Sequence, residues 1–188
     1  MVKTRIGNRN DIGGVLFLQD KYLYSKLNEA ERKEGFVTTP FTVNQIEEII
    51  EQNGLIVAEN EDNIIIAYAF AGSWKYFAQW EIFNFMVSRF PKLSFKGNKI
   101  TTENSFQYGP VCIDKKYRGS GVLNLVFEEM RIEFLKRYPI SVTFINKVNA
   151  ISTKAHTKKL GWEIIDEFQF NGNTYIGLGF DMENSVLK

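Results

Sequence analysis

The sequence predicts an α/β (α+β) fold, and three observations lead to that prediction. Apolar residues recur at helical spacing in several segments, which is typical of amphipathic helices. Two pairs of apolar segments flank short polar turns, which is typical of antiparallel hairpins. A strand-like segment, Phe106 to Ile113, is separated from a helical segment by a glycine-rich turn. At 188 residues the chain is long enough for one sizeable core, so we expect a single domain over 1–188.

The composition is that of a globular protein, with 44% hydrophobic and 24% charged residues. Twenty-three basic residues nearly cancel twenty-two acidic ones, so we expect neither a nucleic-acid nor a membrane partner. Cys112 is the only cysteine, which excludes an intramolecular disulfide, and with a single histidine we expect no metal site. Because the longest apolar run, Ile64 to Ala71, is too short to span a bilayer, we expect a cytoplasmic protein.

The chain is expected to begin with a strand and a helix. Lys3 to Ile6 is compatible with a short strand. Asn10 or Asp11 can then cap a helix whose apolar residues recur at helical spacing, and we expect it to end at about Leu27. The polar segment 29–40 ends in two threonines and a proline, so it predicts a loop.

A second helix and a hairpin are expected next. Thr42 and Gln45 have the spacing of a capping box, and Asn53-Gly54 supplies a helix stop. Leu55 to Glu59 and Ile64 to Ala71 then predict two antiparallel strands joined by a polar turn.

An aromatic-rich insert is expected at about 74–104. Its apolar residues recur at helical spacing before Pro91, which predicts a helix that ends there. Such a face is more often core packing than a recognition surface, although it could also line a pocket for an acceptor. The residues on this face are Trp80, Phe83, Val87 and Phe90.

The second half of the chain predicts a strand, a helix, a strand, a short helix and a closing hairpin. The hairpin turns at Asn171-Gly172, a dipeptide suited to a type I′ turn. The expected bounds are Phe106 to Ile113, Val122 to Tyr138, Ile140 to Phe144, Asn149 or Ser152 to Gly161, and Trp162 to Phe170 with Thr174 to Asp181.

The turn before the second-half helix is the candidate binding loop. Main-chain N–H groups at a helix N-terminus form an anion site, and glycines such as Gly119 and Gly121 let a phosphate approach closely. The alternative is that both glycines only make a tight turn. No Gly-Lys-Ser/Thr sequence and no complete Gly-x-Gly-x-x-Gly pattern is present, which argues against nucleotide hydrolysis and NAD binding.

The loop resembles the acyl-CoA motif of the GNAT acetyltransferases, Gln/Arg-x-x-Gly-x-Gly/Ala. Arg118 and Gly121 match it, whereas Leu123 replaces the usual last small residue. Asn149 and Gly161-Trp162 are similar to two downstream landmarks of the family. The resemblance implies a mixed, mostly antiparallel twisted sheet with flanking helices, in the order β-α-α-β-β-(α insert)-β-α-β-α-β-β.

The resemblance also implies an acyl-CoA-dependent N-acetyltransferase acting on a primary amine of a small molecule or peptide. Acetyl-CoA or CoA would be the co-substrate without a metal, and a homodimer stays open. A non-catalytic acyl-CoA-binding domain and a protein-interaction module are the alternatives. In the family, pantetheine pairs with the strand before the loop. The residues implied in cofactor binding are Val111, Cys112, Ile113, Arg118, Gly119, Ser120, Gly121, Val122, Leu123, Asn149 and Ser152.

Three residues are candidates for proton transfer. In the family, a tyrosine on the short last helix often protonates the departing thiolate, and this sequence has His156 near that place. A histidine can donate a proton near neutral pH, so His156 is a candidate general acid. The alternative is that His156 is a solvated or capping residue. Glu103 or Tyr108 could serve as the base, or an ordered water could; the first is otherwise a surface residue and the second core packing. Cys112 lies in an apolar strand, so we expect it to be buried and unreactive.

Overall fold

The computed structural model describes residues 2–187 and confirms the mixed α/β fold. The described strands are β1 Lys3–Ile6, β2 Leu55–Glu59, β3 Ile65–Gly72, β4 Ser94–Phe95, β5 Asn98–Lys99, β6 Ser105–Ile113, β7 Ile140–Asn146, β8 Glu163–Phe170 and β9 Asn173–Asp181. The described helices are α1 Ile12–Tyr22, α2 Glu29–Arg32, α3 Val43–Ile50, α4 Trp74–Phe77, α5 Glu81–Arg89, α6 Val122–Phe134 and α7 Ala150–Lys154.

The main sheet has seven strands in the order β1-β2-β3-β6-β7-β9-β8. Strands β1, β2 and β3 pair antiparallel, as do β7, β9 and β8. The β6–β7 pair is parallel, and its register runs from Ser105 opposite Ile140 to Gln107 opposite Val142. The expectation of a mixed, mostly antiparallel sheet is therefore confirmed. A separate two-stranded hairpin, β4–β5, was not predicted.

The chain forms two compact units, and β6 runs from one into the other. The first unit comprises the residues up to Ala71, Gly109–Glu133 and the residues from Val186 onward. The second unit comprises Gly72–Tyr108 and Phe134–Ser185. Each unit has buried apolar side chains of its own, and the organisation of 1–188 as one domain stays a prediction. Fully buried residues include Val15, Ile46, Ile49, Val126 and Met130 in the first unit and Phe77, Met86, Phe106 and Phe134 in the second.

The first unit confirms the predicted capping box of α3. The Thr42 N–H donates to Gln45 Oε1 at 2.9 Å, and the Gln45 N–H donates to Thr42 Oγ1 at 3.4 Å. The helix stops before Asn53, which adopts a φ of +54°. Two of the four otherwise unpaired N–H groups at the helix start are bonded within the same turn. The local sequence pattern was therefore sufficient to predict where this helix begins.

The predicted extent of the first helix was wrong, because α1 ends at Tyr22 instead of about Leu27. The Tyr24 N–H donates to the carbonyl of Val37 at 2.9 Å, a residue distant in sequence, so the helical hydrogen-bond pattern stops there. The predicted loop 29–40 contains α2, whose start is capped reciprocally by Asn28 and Glu31.

In the second unit, the insert forms two short helices instead of one. Trp80 is the residue before α5, and Phe90 begins a 3-10 turn that includes Pro91, so the predicted helical face is interrupted at both ends. Phe83 packs near Phe144 of β7 with ring centroids 5.2 Å apart, as expected for core packing.

The second half of the chain follows the predicted order with shorter helices. The helix α6 ends at Phe134 instead of Tyr138, because the N–H groups of Arg137 and Tyr138 both donate to the Phe134 carbonyl in a tightened last turn. The closing hairpin turns at Asn171 and Gly172, whose φ angles of +46° and +75° fit the expected type I′ turn.

An ion pair ties the insert to the closing hairpin. Arg89 of α5 donates two hydrogen bonds to Asp166 of β8, at 2.5 and 2.7 Å, and the Asp166 side chain is 9% exposed. Asp166→Ala is expected to lower the free energy of unfolding by about 2 kcal/mol, because it leaves a half-buried guanidinium without its partner. Urea unfolding followed by circular dichroism measures this change.

The matched control is the neighbouring Glu167→Ala. Glu167 also forms an ion pair, with Lys147 at 3.0 Å, but both of these side chains are more than half exposed. Its loss is expected to change the unfolding free energy by less than about 0.5 kcal/mol. Equal effects of the two substitutions would show that burial does not distinguish the pairs.

Candidate active site

The glycine-rich loop, defined as 114–121 between β6 and α6, has a backbone that requires glycine at two positions. Gly119 has a φ of +83° and Gly121 a φ of +90°, a region that side-chain-bearing residues rarely adopt. A Cβ atom on either residue would meet nothing within 4 Å, so the protein itself does not occupy that space. The glycines are therefore needed for backbone conformation, and they leave open space above the loop.

The end of this loop and the start of α6 present a row of unused N–H groups. Within residues 2–187, the main-chain N–H groups of Gly119, Gly121, Val122, Leu123 and Asn124 donate no hydrogen bond. The first turn of α6 carries no acidic residue. Free N–H groups and the positive end of a 13-residue helix are features that favour the binding of an anion.

The beginning of the loop is held by side chains from α1. Asp114 accepts a hydrogen bond from the Lys116 N–H at 3.0 Å and pairs with Lys21 at 2.7 Å. The hydroxyl of Tyr22 accepts a hydrogen bond from the Lys115 N–H at 2.8 Å. Burial opposes ionisation of Asp114, but its bonds to Lys21 and Lys116 outweigh that effect and lower the pKa of the carboxyl. Asp114 is thus a charged brace of the loop.

Arg118 braces the loop with its side chain instead of pointing toward a ligand. Its Nε donates to the carbonyl of Ile113 at 2.9 Å, and its Nη1 donates to the carbonyl of Glu34 at 2.5 Å. The guanidinium also stacks over the ring of Tyr22, 4.6 Å from its centroid. The main-chain N–H of Arg118 also donates to the carbonyl of Lys115 at 3.3 Å, so this residue stabilises the conformation of the loop.

Arg118→Lys is expected to weaken acetyl-CoA binding roughly tenfold. A single ammonium cannot reproduce two bonds in different directions together with the stacked contact, so the loop must be ordered when the ligand binds. Titration calorimetry with acetyl-CoA measures the loss. Arg32→Lys is the matched control, because Arg32 also stacks on a ring, that of Tyr24 at 4.0 Å, but lies outside the loop. Equal effects of both substitutions would contradict the bracing role.

The last residues of β6, Val111 to Ile113, lead directly into this loop. Val111 and Ile113 are half-buried, whereas Cys112 is 3% exposed and its Sγ lies 3.8 Å from the Leu18 carbonyl. Burial raises the pKa of the Cys112 thiol to about 12, so it stays protonated at neutral pH. The thiol is therefore unsuited to carry an acyl group.

Comparison with known proteins gives matches in structure but none in sequence. No family model and no curated protein matches the chain. Solved structures do match, at low identity. The yncA protein of Salmonella typhimurium, solved with its cofactor acetyl-CoA, gives a TM-score of 0.64 at 13% identity, covering 98% of this chain and 95% of that one. A GNAT-family acetyltransferase from Streptococcus agalactiae gives 0.60 at 13% identity, with coverage of 96% and 95%.

The chain has the GNAT fold. A third match agrees with this result: a ribosomal-protein-alanine N-acetyltransferase from Brucella melitensis has a TM-score of 0.61 at 16% identity, covering 95% of this chain and 99% of that one. The strand, glycine-rich loop and helix described above therefore lie on a fold shared with acetyltransferases. The identities are too low to transfer a substrate.

The downstream GNAT landmarks lie in the second unit. Asn149 is 9% exposed and caps α7, its Oδ1 accepting from the Ser152 N–H at 3.3 Å. Gly161 ends the following π-helical turn with a φ of +81°, and Trp162 is buried. The predicted cofactor role of Asn149 and Ser152 stays a prediction; what the structure places there is a helix cap.

The environment of His156 favours a neutral ring. It is 3% exposed, and its Nδ1 lies 2.8 Å from the Ser152 carbonyl, which can only accept, so Nδ1 carries the hydrogen. Burial lowers the pKa of His156 to about 4, which the hydrogen bond to Ser152 only partly offsets. At neutral pH the Nε2 atom therefore has no proton to donate. A general-acid role remains a prediction that this environment does not favour.

The two candidates for the base have different surroundings. Tyr108 is 1% exposed and its ring stacks on Trp162 with centroids 5.5 Å apart; burial raises the pKa of its hydroxyl, which stays protonated. Glu103 is exposed in a turn, and hydrogen bonds from Thr102 and then Thr101 lower the pKa of its carboxyl. A protonated phenol cannot accept a proton, and a lowered pKa makes the Glu103 carboxylate a weaker base. Tyr108 is in the core, whereas Glu103 is at the surface.

Residues 2–187 contain neither a metal-binding cluster nor a membrane-spanning helix. No group of three or more His, Cys, Asp or Glu side chains there is arranged to hold a metal ion. No helix in the same part of the chain combines the length and apolarity that crossing a bilayer requires.

Sequence reasoning missed Gln107, a buried glutamine of β6. It is 2% exposed, and its amide nitrogen bonds to the carbonyl of Tyr108 at 2.6 Å. The only signal in the sequence is a polar residue between Phe106 and Tyr108 in an otherwise apolar strand. That signal alone does not distinguish a functional amide from a structural one.

Proposed function

We propose that the chain is an N-acetyltransferase that moves the acetyl group of acetyl-CoA to a primary amine of a small molecule or peptide. The observation that supports this most is the set of free N–H groups on Gly119 and on Gly121 to Asn124, in a GNAT fold. A pyrophosphate is the ligand that such a row fits, since several N–H donors and a helix N-terminus face one open space. The structural neighbour solved with acetyl-CoA supports the same ligand.

In this proposal the protein binds the cofactor through main-chain groups more than through side chains. The pyrophosphate binds the N–H groups of the glycine-rich loop and of Val122 and Leu123. Replacement of the usual small residue by Leu123 leaves its N–H available, because the side chain does not alter the backbone donor. Pantetheine pairs with the main chain of Val111 to Ile113. Cofactor binding by Asn149 and Ser152 is a further part of the proposal.

The chemistry is one acyl transfer. The lone pair of the neutral amine forms a bond to the thioester carbon, and the carbonyl electrons move onto oxygen. The intermediate then collapses, the C–S bond breaks and its electron pair leaves on the CoA sulfur. The nitrogen loses one proton and the thiolate gains one, so the products are an N-acetylated amine and CoA. Main-chain N–H groups of β6 would stabilise the negative oxygen.

Proton transfer in this proposal relies on positioning and water. His156, Tyr108 and Glu103 remain the side-chain candidates, but their pKa shifts favour a neutral imidazole, a protonated phenol and an ionised surface carboxylate. An ordered water as the base fits these environments better. Holding amine and thioester in reacting geometry can itself supply a large part of the rate enhancement.

Titration calorimetry with acetyl-CoA and CoA, followed by a screen of primary amines for CoA release, tests this function. Saturable binding with turnover is expected. Binding without turnover on any amine would favour a non-catalytic acyl-CoA-binding domain. No binding by folded protein would contradict the proposal and favour an interaction module, in which the loop is only a turn. A cytoplasmic location is part of the proposal, based on the single cysteine.

A further inference from the structure

Val186 binds to the start of α6 through both of its main-chain polar groups. Its N–H donates to Glu128 Oε2 at 3.0 Å, and its carbonyl accepts from Asn124 Nδ2 at 3.4 Å. Asn124 and Glu128 are four residues apart in a helix, so their side chains lie one turn apart on the same face. All three residues belong to the first unit, which also contains the glycine-rich loop. A single residue outside the helix is therefore bonded to two successive turns of α6.

Glu128 gives this contact a fixed geometry. It is 6% exposed, and its carboxylate accepts two hydrogen bonds from the Arg131 guanidinium, at 2.7 and 3.0 Å. Such a two-point pair is directional, because the planar guanidinium and the carboxylate match each other in only a few orientations. The oxygen that accepts the Val186 N–H is thus held in place by the helix itself. Val186 therefore has a defined position on α6, within hydrogen-bonding distance of Asn124.

The first turn of α6 depends on contacts from outside the helix more than the later turns do. The residue before the helix is Gly121, which has no side chain with which to cap this turn. The first hydrogen bond of the helix joins the Leu125 N–H to the Gly121 carbonyl at 3.2 Å. A helix end opens more readily than the middle, because the end residues are restrained by fewer bonds. The bond from Asn124 to Val186 restrains this turn.

Asn124 links this restraint to the proposed cofactor site. Its main-chain N–H is one of the free donors of the candidate site, while its side chain donates to Val186. When the first turn unwinds, its N–H groups no longer point in one direction and cannot bind one pyrophosphate together. The apparent affinity for the ligand then falls in proportion to the fraction of molecules in which the turn is ordered.

We infer that Asn124 is a positioning residue for acetyl-CoA. Its side chain, bonded to Val186, holds the first turn of α6 in the conformation that presents the free N–H groups to the pyrophosphate. The inference rests on the proposed function and extends it from the groups that bind the cofactor to those that preorganise them. Coupling between two contacts is reciprocal, so bound acetyl-CoA also keeps Val186 on the helix.

Asn124→Val tests this role without removing a main-chain donor. Valine and asparagine have similar helix propensities, so the substitution deletes the side-chain amide and leaves the intrinsic stability of the turn almost unchanged. Acetyl-CoA is expected to bind about fivefold more weakly, which corresponds to a turn that is ordered in about one fifth of the unliganded molecules. Titration calorimetry measures the affinity, and circular dichroism verifies that the variant is folded. Unchanged affinity would overturn the inference.

Asn53→Gly is the matched control at the other end of the helix. Asn53 Nδ2 donates to Glu133 Oε1 at 2.9 Å, so this substitution also deletes one amide bond to α6. Asn53 has a φ of +54°, which glycine adopts without strain. The bond lies in the last turn, away from the free N–H groups, so the affinity for acetyl-CoA is expected to stay within about twofold of wild type. An equal loss in both variants would show a general loosening of α6 and would overturn the role of Asn124.

Val186→Pro tests the other side of the contact. Proline has no N–H to donate to Glu128. Because both substitutions break one contact, each single variant and the double variant are expected to lose about fivefold in affinity. Independent effects would multiply to about 25-fold in the double variant, and that result would overturn the inference. Asn124→Val and its control decide the matter if Val186→Pro does not fold.

Hydrogen exchange of the wild-type protein measures the reciprocal effect. Exchange of the Val186 N–H, followed by NMR, is expected to slow about fivefold when acetyl-CoA saturates the protein. A purely structural contact predicts no change, and that result would overturn the coupling. Failure of wild type to bind acetyl-CoA would overturn this inference together with the proposed function. Binding of acetyl-CoA by wild type and by Asn124→Val with equal affinity would overturn this inference alone.

Discussion

Gly121→Asp is expected to lower the affinity for acetyl-CoA at least about a hundredfold, or roughly 2.7 kcal/mol. The backbone at Gly121 has a φ of +90°, and the space above it is empty. An aspartate there would place a carboxylate in the space where the free N–H groups of Val122 and Leu123 are proposed to bind pyrophosphate. Like charges repel, and the phosphate loses donors that no other group replaces. Titration calorimetry measures the affinity.

Gly97→Asp is the matched control for this change. Gly97 lies between β4 and β5 and has a φ of +80°, and a Cβ atom at this position would likewise meet nothing within 4 Å. The substitution therefore introduces the same charge and a similar backbone strain outside the loop. We expect both variants to lose about 1–2 kcal/mol of unfolding free energy, because left-handed backbone is costly for a residue with a Cβ. Unchanged acetyl-CoA affinity of Gly121→Asp would reject the loop as the cofactor site.

Local patterns predicted those parts of the fold whose hydrogen bonds close within a few residues. The capping box of Thr42 and Gln45 and the Asn171-Gly172 turn are examples, and both are confirmed in the structure. The end of α1 could not be predicted in this way, because the Tyr24 N–H bonds to Val37, thirteen residues away. The loop prediction for 29–40 failed for another reason: α2 is capped locally, but it has only four residues and none of them is buried.

In the candidate site, too, only the features that depend on local geometry could be predicted from the sequence. The order of strand, glycines and helix around Gly119 and Gly121 is visible in the sequence, because free N–H groups at a helix start follow from local geometry. The bracing by Arg118 depends on Tyr22 and Glu34, which approach it only in the folded chain. The surroundings of Gln107 depend on the register of β6 and β7, two strands separated by α6. That register is not encoded in neighbouring residues.

His156→Asn is expected to remove most of the loss of stability that the wild-type protein shows between about pH 6.5 and pH 4. Burial lowers the folded-state pKa of His156 to about 4, below the ordinary value of 6.5. In that interval the unfolded chain binds a proton that the folded chain does not, so the unfolding free energy falls as the pH falls. A shift of this size corresponds to about 3 kcal/mol. Urea unfolding at pH 4 to 8 measures it.

His156 is the only histidine of the chain, so no other imidazole contributes to the difference between the two proteins. Asparagine can keep the donor to the Ser152 carbonyl, since its amide nitrogen lies close to the position of Nδ1, and so separates titration from packing. The carboxyls of Asp11 and Asp114 have lowered pKa values in the folded chain, so their contribution to the loss of stability is confined to the acid end of this interval and below it. Parallel stability curves for the two proteins would show that His156 is not buried neutral. A His156→Asn protein with normal stability at pH 8 but much reduced turnover would instead favour the general-acid role, because loss of a purely structural imidazole leaves the chemistry intact.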